Sequence, residues 1–184
     1  MAKRSAPVVR PYDLNNLAKH HPTIWVTAFV LAFVSRTRAA RGGNVAIMAS
    51  PDGAELRRGK RPEQWQLLTP TSLNASEVVQ FGKSFNEKTV TEYAAIAVAG
   101  AQIATVLGLR FREVTLVGER GDYWLETADG GSAGMCEISG TVTKSLQGVF
   151  KEKRKQILKN RLVSRCYVSV TNFARNEGAF SRVR

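Results

Sequence analysis

The chain has 184 residues, 43% hydrophobic and 23% charged, proportions ordinary for a water-soluble globular protein with one sizeable core. Its 27 lysines and arginines against 15 aspartates and glutamates give a formal charge of +12, an excess that points to a polyanionic partner, nucleic acid first. Cys136 and Cys166 follow no ligand spacing and stand in apolar strand-like runs. A Cys/His zinc centre is therefore set aside, and reduced core thiols in a cytoplasmic protein are expected.

Residues 1–12 are basic, carry Pro7 and Pro11, and read as an arm that is mobile or docked on a partner, without the long apolar run of a secretory signal. His20-His21, just before Pro22, belong to a loop leading into a helix. The run Ile24–Val34 is almost wholly apolar; Pro22-Thr23 suit a helix start and Gly42-Gly43 its end, with a strand as competitor. It falls short of the roughly 20 residues a bilayer span needs. It is expected to be buried or covered by a protein partner or a second copy, since such a run left exposed is association-prone. Arg36, Arg38 and Arg41 suit the C-terminal end of the helix dipole. Residues 43–75 read as loops punctuated by Pro51, Gly53, Gly59, Pro62 and Pro70. Their basic cluster Arg57, Arg58, Lys60 and Arg61 is either solvated or set on nucleic-acid phosphates.

A long helix is predicted from about Thr89 to Leu107, ending at Gly108, with Glu92, Ile96, Ala99, Ile103 and Val106 on one face. Glu92 is either a first-turn surface glutamate or a carboxylate at the edge of an apolar stripe. Strand-like runs follow at Glu113–Val117, Asp122–Glu126 and Met135–Ser139, the last two flanking the turn segment Asp129-Gly130-Gly131-Ser132. Alternation puts Asp122, Trp124 and Glu126 on one face, and Glu137 with Ser139 on one face of the next run. Each of these two runs places a carboxylate inside what otherwise reads as buried sheet. Unpaired buried carboxylates are costly, so the two ask for a metal, a cation or hydrogen-bond donors.

A second helix is predicted from Ser145 to about Leu162, with Leu146, Val149, Phe150 and Ile157 as its apolar stripe. Lys153 falls in the middle of that stripe, while Lys151, Lys155 and Lys159 point outward and suit nucleic-acid phosphates. Lys153 either meets a strand carboxylate or packs its stem and sends its head to solvent. A strand over Arg165–Phe173 and a basic tail with Arg175, Arg182 and Arg184 close the chain.

From residue 87 the order is helix, strand, strand, strand, helix, strand, with acidic residues on the central strands and one on the first helix. This order resembles the PD-(D/E)XK nuclease superfamily, the restriction-endonuclease-like fold, over roughly residues 87–173. The resemblance implies an α/β (α+β) protein. Its core, residues 87–184, is a mixed central sheet flanked by helices, preceded by a helical N-terminal extension over residues 1–86. It implies Asp122, Glu137 and Glu92 as ligands of Mg2+ or Mn2+. The family's Glu-x-Lys reads Glu137-Ile138-Ser139 here, so a serine replaces the lysine. Members of the superfamily are known to move that lysine to the following helix, which makes Lys153 the corresponding cation, with Gln156 beside it one turn on.

Three functions compete. The first is a metal-dependent DNA nuclease or nuclease subunit of a bacterial defence, restriction or repair system. The second is a catalytically silent version of the fold that grips nucleic acid or an enzyme. The third is a basic RNA- or ribosome-associated protein, with Tyr123, Trp124 and Tyr167 as stacking surfaces. The nuclease needs Asp122, Glu137 and a cation to converge; the RNA binder needs its aromatics exposed.

Overall fold

The computed structural model describes residues 9–37, 45–50, 63–68 and 73–184. Among these, eight strands form one mixed sheet in the order β1-β3-β2-β8-β7-β6-β5-β4. The strands are β1 (Val9–Asp13), β2 (Val45–Ser50), β3 (Glu63–Leu68), β4 (Arg110–Val114), β5 (Tyr123–Glu126), β6 (Ser132–Thr141), β7 (Cys166–Asn172) and β8 (Glu177–Arg182). The helices are α1 (Asn16–His20), α2 (Thr27–Thr37), α3 (Ala75–Ser84), α4 (Glu87–Gln102) and α5 (Leu146–Ile157). Pairs β1/β3, β2/β8 and β6/β7 are parallel, and the other neighbours are antiparallel.

The long helix is the centre of the larger core. Asn86 caps α4, its side chain accepting the Thr89 amide at 2.9 Å. Ala94, Ala95, Ala97, Ala99 and Ala101 are all fully buried, which lets α2 approach on one side and β6 and β7 on the other. The helix is thus buried nearly all round rather than along one stripe. Its last turn, Ile103–Leu107, is a π-turn, and Gly108 ends it at φ 63° in the left-handed region where glycine carries no Cβ penalty. Glu87–Leu107 has the length and apolarity of a membrane span, but most of it is buried inside the protein, as in a core helix.

The apolar run Ile24–Val34 contributes α2, so the strand alternative is overturned. Ala28, Phe29, Val30, Ala32, Phe33 and Val34 are buried within the chain, against α4 and α3. Other expectations shift as well. The segment read as loops contains β2 and β3, and the basic tail contains β8, antiparallel to β7. The run predicted at Glu113–Val117 is β4, displaced to Arg110–Val114, and residues 115–121 form a loop. The second helix ends at Ile157. His20 and His21 close α1, and His21 joins three elements: its Nε2 meets the Gly100 carbonyl at 3.0 Å and its Nδ1 accepts the Phe111 amide at 2.9 Å. Strands from both sides of residue 86 share the sheet, because β2 pairs with β8. Arg38, Arg41, Gly42-Gly43, the cluster Arg57, Arg58, Lys60 and Arg61, and residues 1–8 of the arm lie outside the described residues.

Alternation divides the sheet between two cores. Phe111, Tyr123, Leu125, Cys136, Ile138 and Tyr167 face α2 and α4. Met135, Cys166, Val168, Val170 and Ala179 face α5, which supplies Leu146, Val149, Phe150 and Ile157, the four residues of the predicted stripe. Cys136 and Cys166 are free, buried, and on opposite faces of neighbouring strands. Tyr123 and Tyr167 are buried, and Trp124 packs on the α5 core, so these rings serve packing and the two tyrosines are not available to stack on bases.

Candidate active site

The site lies where β6 loses one of its neighbours. β5 follows β6 only as far as Cys136, whereas β7 accompanies it from Met135 to Thr141. Among the described residues, one edge of β6 beyond Cys136 therefore has no strand beside it. Asp122, the residue before β5, fills the first position of that gap. Its amide donates to the Cys136 carbonyl at 2.9 Å, and its Oδ2 accepts the Ile138 amide at 2.6 Å. A carboxylate stands in for the missing strand, which fixes its position and leaves its second oxygen for other work.

Glu137 sits next to it on the face covered by α5. Its side chain is fully buried, and Oε1 accepts from Lys153 Nζ at 2.5 Å. Oε2 is buried with no hydrogen-bond partner among the described residues. Lys153 shares the helical face of Val149, Phe150 and Ile157 on α5, and from there its ammonium reaches Glu137 on the strand. Of the two readings of Lys153, the paired one is observed.

The electrostatics follow from this burial. Desolvation, followed by the Asp122 charge, pushes Glu137 up from its ordinary 4.5 to about 7, with Lys153 holding it back. Asp122 is raised as well, by burial first, with Glu92 adding to the rise and the Ile138 amide and Lys153 opposing it. Burial pulls Lys153 down, but its bond to Glu137 and the charges of Glu137, Asp122 and Glu92 outweigh this, and its pKa is raised.

Glu92 is the outer member of the group. It stands in the second turn of α4, half-exposed, 3.9 Å from Lys88, with its charge felt at both Asp122 and Lys153. Its position depends on Gly140. A Cβ there would collide with the Thr91 carbonyl oxygen and come within 2.9 Å of the Thr91 carbonyl carbon and Cγ2, so only glycine lets α4 cross β6 this closely. Ser139 is partly exposed two residues beyond Glu137. Gln156 is exposed on α5 and bonds none of Asp122, Glu137 and Lys153 among the described residues. Lys151, Lys155 and Lys159 are exposed, as the helix phase requires.

No protein-family model, curated protein or solved structure matches this chain. The chemistry is accordingly read from the residues. Among the described residues no three His, Cys, Asp or Glu side chains are gathered closely enough to hold a metal by themselves. The donor set still suits a hard divalent cation. Magnesium is typically held by one or two carboxylates, with water and substrate phosphate oxygens completing its shell. Glu137 Oε2, buried and unpartnered, and the second oxygen of Asp122 are such a pair of donors.

Sequence reasoning missed two features of the site's surroundings. Glu126, buried at the end of β5, is committed to Arg110, its cross-strand neighbour on β4, at 2.7 Å. Glu119 accepts from Trp124 Nε1 at 3.0 Å and from the Leu116 amide at 2.7 Å, pinning the loop that leads to Asp122. A cross-strand pair has no composition signal, whereas an acid at the end of a turn beside Gly118 was a visible candidate.

Proposed function

We propose that this chain is a metal-dependent nuclease, or the nuclease subunit of a larger assembly, that hydrolyses DNA phosphodiester bonds. The observation that carries the reading is Lys153 reaching across from α5 to Glu137, next to an Asp122 held by β6, the strand that carries Glu137. Two acids and a cation that the sequence places 15 and 16 residues apart meet at one open strand edge.

A bound Mg2+ or Mn2+ supplies Lewis acidity at the scissile phosphate and an acidified water. Asp122 and Glu137 would hold it, with Glu92 reaching it directly or through water. Asp122 is oriented by the Ile138 amide, so its free oxygen is presented without reorganisation. Lys153 offers positive charge where the transition state gains negative charge, and the bond to Glu137 fixes its head. The exposed Lys151, Lys155 and Lys159 offer charge to the DNA backbone.

A second reading rests on the same pair. An ammonium 2.5 Å from Glu137 neutralises it, which suits a silent scaffold whose ion pair is structural. Cleavage of plasmid and single-stranded DNA with magnesium or manganese separates the two. Wild type should nick or linearise DNA, and Asp122→Asn, Glu137→Gln and Lys153→Met, each shown to be folded, should lose cleavage by about a hundredfold or more. Salt-sensitive DNA binding without cleavage by folded wild type would favour the scaffold.

A further inference from the structure

The loop over residues 115–121, between β4 and β5, leads directly to Asp122, and it is built in a way the fold does not require. It holds two residues in the left-handed region, Gly118 at φ 99° and Arg120 at φ 57°. For arginine that conformation is disfavoured, and such strain persists only where surrounding structure imposes it. Here the surroundings do. The Thr115 amide bonds the Asp122 carbonyl at 3.0 Å, the Thr115 hydroxyl bonds the Gly121 carbonyl, and the Glu119 carboxylate ties the Leu116 amide to the Trp124 indole. Asn160, buried in the turn after α5, donates to the Glu119 carbonyl and joins that turn to the loop.

What this braced loop displays is apolar. Leu116 is 75% exposed and Val117 fully so, and Leu162, two residues beyond the bridging Asn160, is 65% exposed. Around them stand Arg120, Lys159 and Arg161, all exposed, while the one acid of the loop is turned inward to Trp124. Rigid apolar tips inside a basic rim fit a polyanion that also presents apolar faces.

We infer that this loop is a base-contacting wedge for single-stranded DNA: Leu116, Val117 and Leu162 lie against unstacked bases while Arg120, Lys159 and Arg161 hold the phosphates. The inference rests on the nuclease reading for its choice of DNA, and it specifies the form in which the strand reaches Asp122. Leucine and other apolar side chains wedge against bases where duplex steps are unstacked, and single-strand binders combine a basic track with flat, usually aromatic, platforms for the bases; here aliphatic tips take the place of the platform.

The test is binding by the full chain in EDTA, so that neither metal nor cleavage enters. Labelled oligothymidylate, a duplex, and RNA of equivalent sequence are titrated over the same series of salt concentrations against wild type, Leu116→Ser/Val117→Ser and Arg120→Gly. The serine variant changes only exposed side chains, and glycine at 120 accepts the backbone conformation while removing the charge. Wild type should bind the DNA single strand more tightly than duplex or RNA. The serine pair should weaken single-strand binding by about tenfold and leave duplex binding unchanged, and Arg120→Gly should lower the salt dependence by roughly one phosphate contact. Equal binding of single strand by wild type and the serine variant overturns the inference, as does a preference for duplex or RNA. Loss of self-association in the serine variant, with DNA binding intact, overturns it in favour of a protein-docking loop. Cleavage with metal but no wedge effect leaves the nuclease standing without this inference; a wedge effect with no cleavage does the reverse.

Discussion

Removing Lys153 tests the energetics of the site independently of any activity. In wild type, Glu137 titrates near 7 in the folded protein against an ordinary 4.5. An acid whose pKa is raised by folding stabilises most at low pH, and that contribution is lost as pH rises from about 4.5 through 7. Lys153 is what stops the pKa from climbing higher, so in Lys153→Met it moves beyond 7 and the decline continues upward. The gap between wild type and variant therefore widens by about 1.4 kcal/mol per pH unit above neutrality, until the variant's own pKa is reached. At about pH 9 the gap approaches roughly 3 kcal/mol, the scale on which breaking a buried ion pair costs stability. At about pH 6 a neutral Glu137 leaves little more than the change in packing. Urea unfolding of both proteins at the two pH values, followed by tryptophan fluorescence, gives the numbers. A gap that is the same at both, or smaller at the higher pH, refutes the coupling. The double variant Glu137→Gln/Lys153→Met should abolish the pH dependence of the gap.

Two further predictions concern the frame that holds the site. Burial lowers His21 from 6.5 to about 4, so its stabilising contribution is complete above the unfolded value and lost as pH falls from 6.5 towards 4, by roughly 3 kcal/mol. Melting temperatures of wild type and His21→Gln across that window should converge as the pH drops, and parallel curves would contradict this. Gly140→Ala forces α4 off β6 and should cost about 1–3 kcal/mol, a fall of about 3–10 °C in Tm by scanning calorimetry; an unchanged Tm would mean the crossing has slack.

The second half of the chain was the legible half, for a physical reason. The β6–α5–β7 unit has a buried strand interrupted by the carboxylate of Glu137, a stripe at helical period and a second buried strand, so outside that one residue local pattern and tertiary burial agree. Lys153 could be singled out because a charge in an apolar stripe conflicts with its neighbours, and conflicts of that kind are settled by a specific partner. Other features depend on distant chain. β8, with Glu177, Gly178, Ser181 and Arg182 among its six residues, becomes a strand by completing the ladder on β7, while β2 and β3 come from a stretch broken by prolines and glycines. The proximity of Glu92 to Lys153 could not be read from either residue, since it depends on a glycine 48 positions further along the chain. The Arg110–Glu126 pair was not legible either, since it depends on how β4 and β5 come together.

Carrying the cation on a helix rather than on the strand changes what controls it. Glu137 belongs to β6 and Lys153 to α5, so the gap between them is set by how closely the helix rests on the sheet, through Leu146, Val149, Phe150 and Ile157. The ion pair thus acts as a gauge of helix seating. A truncation such as Phe150→Ala, which removes no charged group, would let the helix ride differently and detune the pair while the strands keep their register. In this arrangement the charge geometry and the smaller core are mechanically in series, and whatever loosens one is read out in the other.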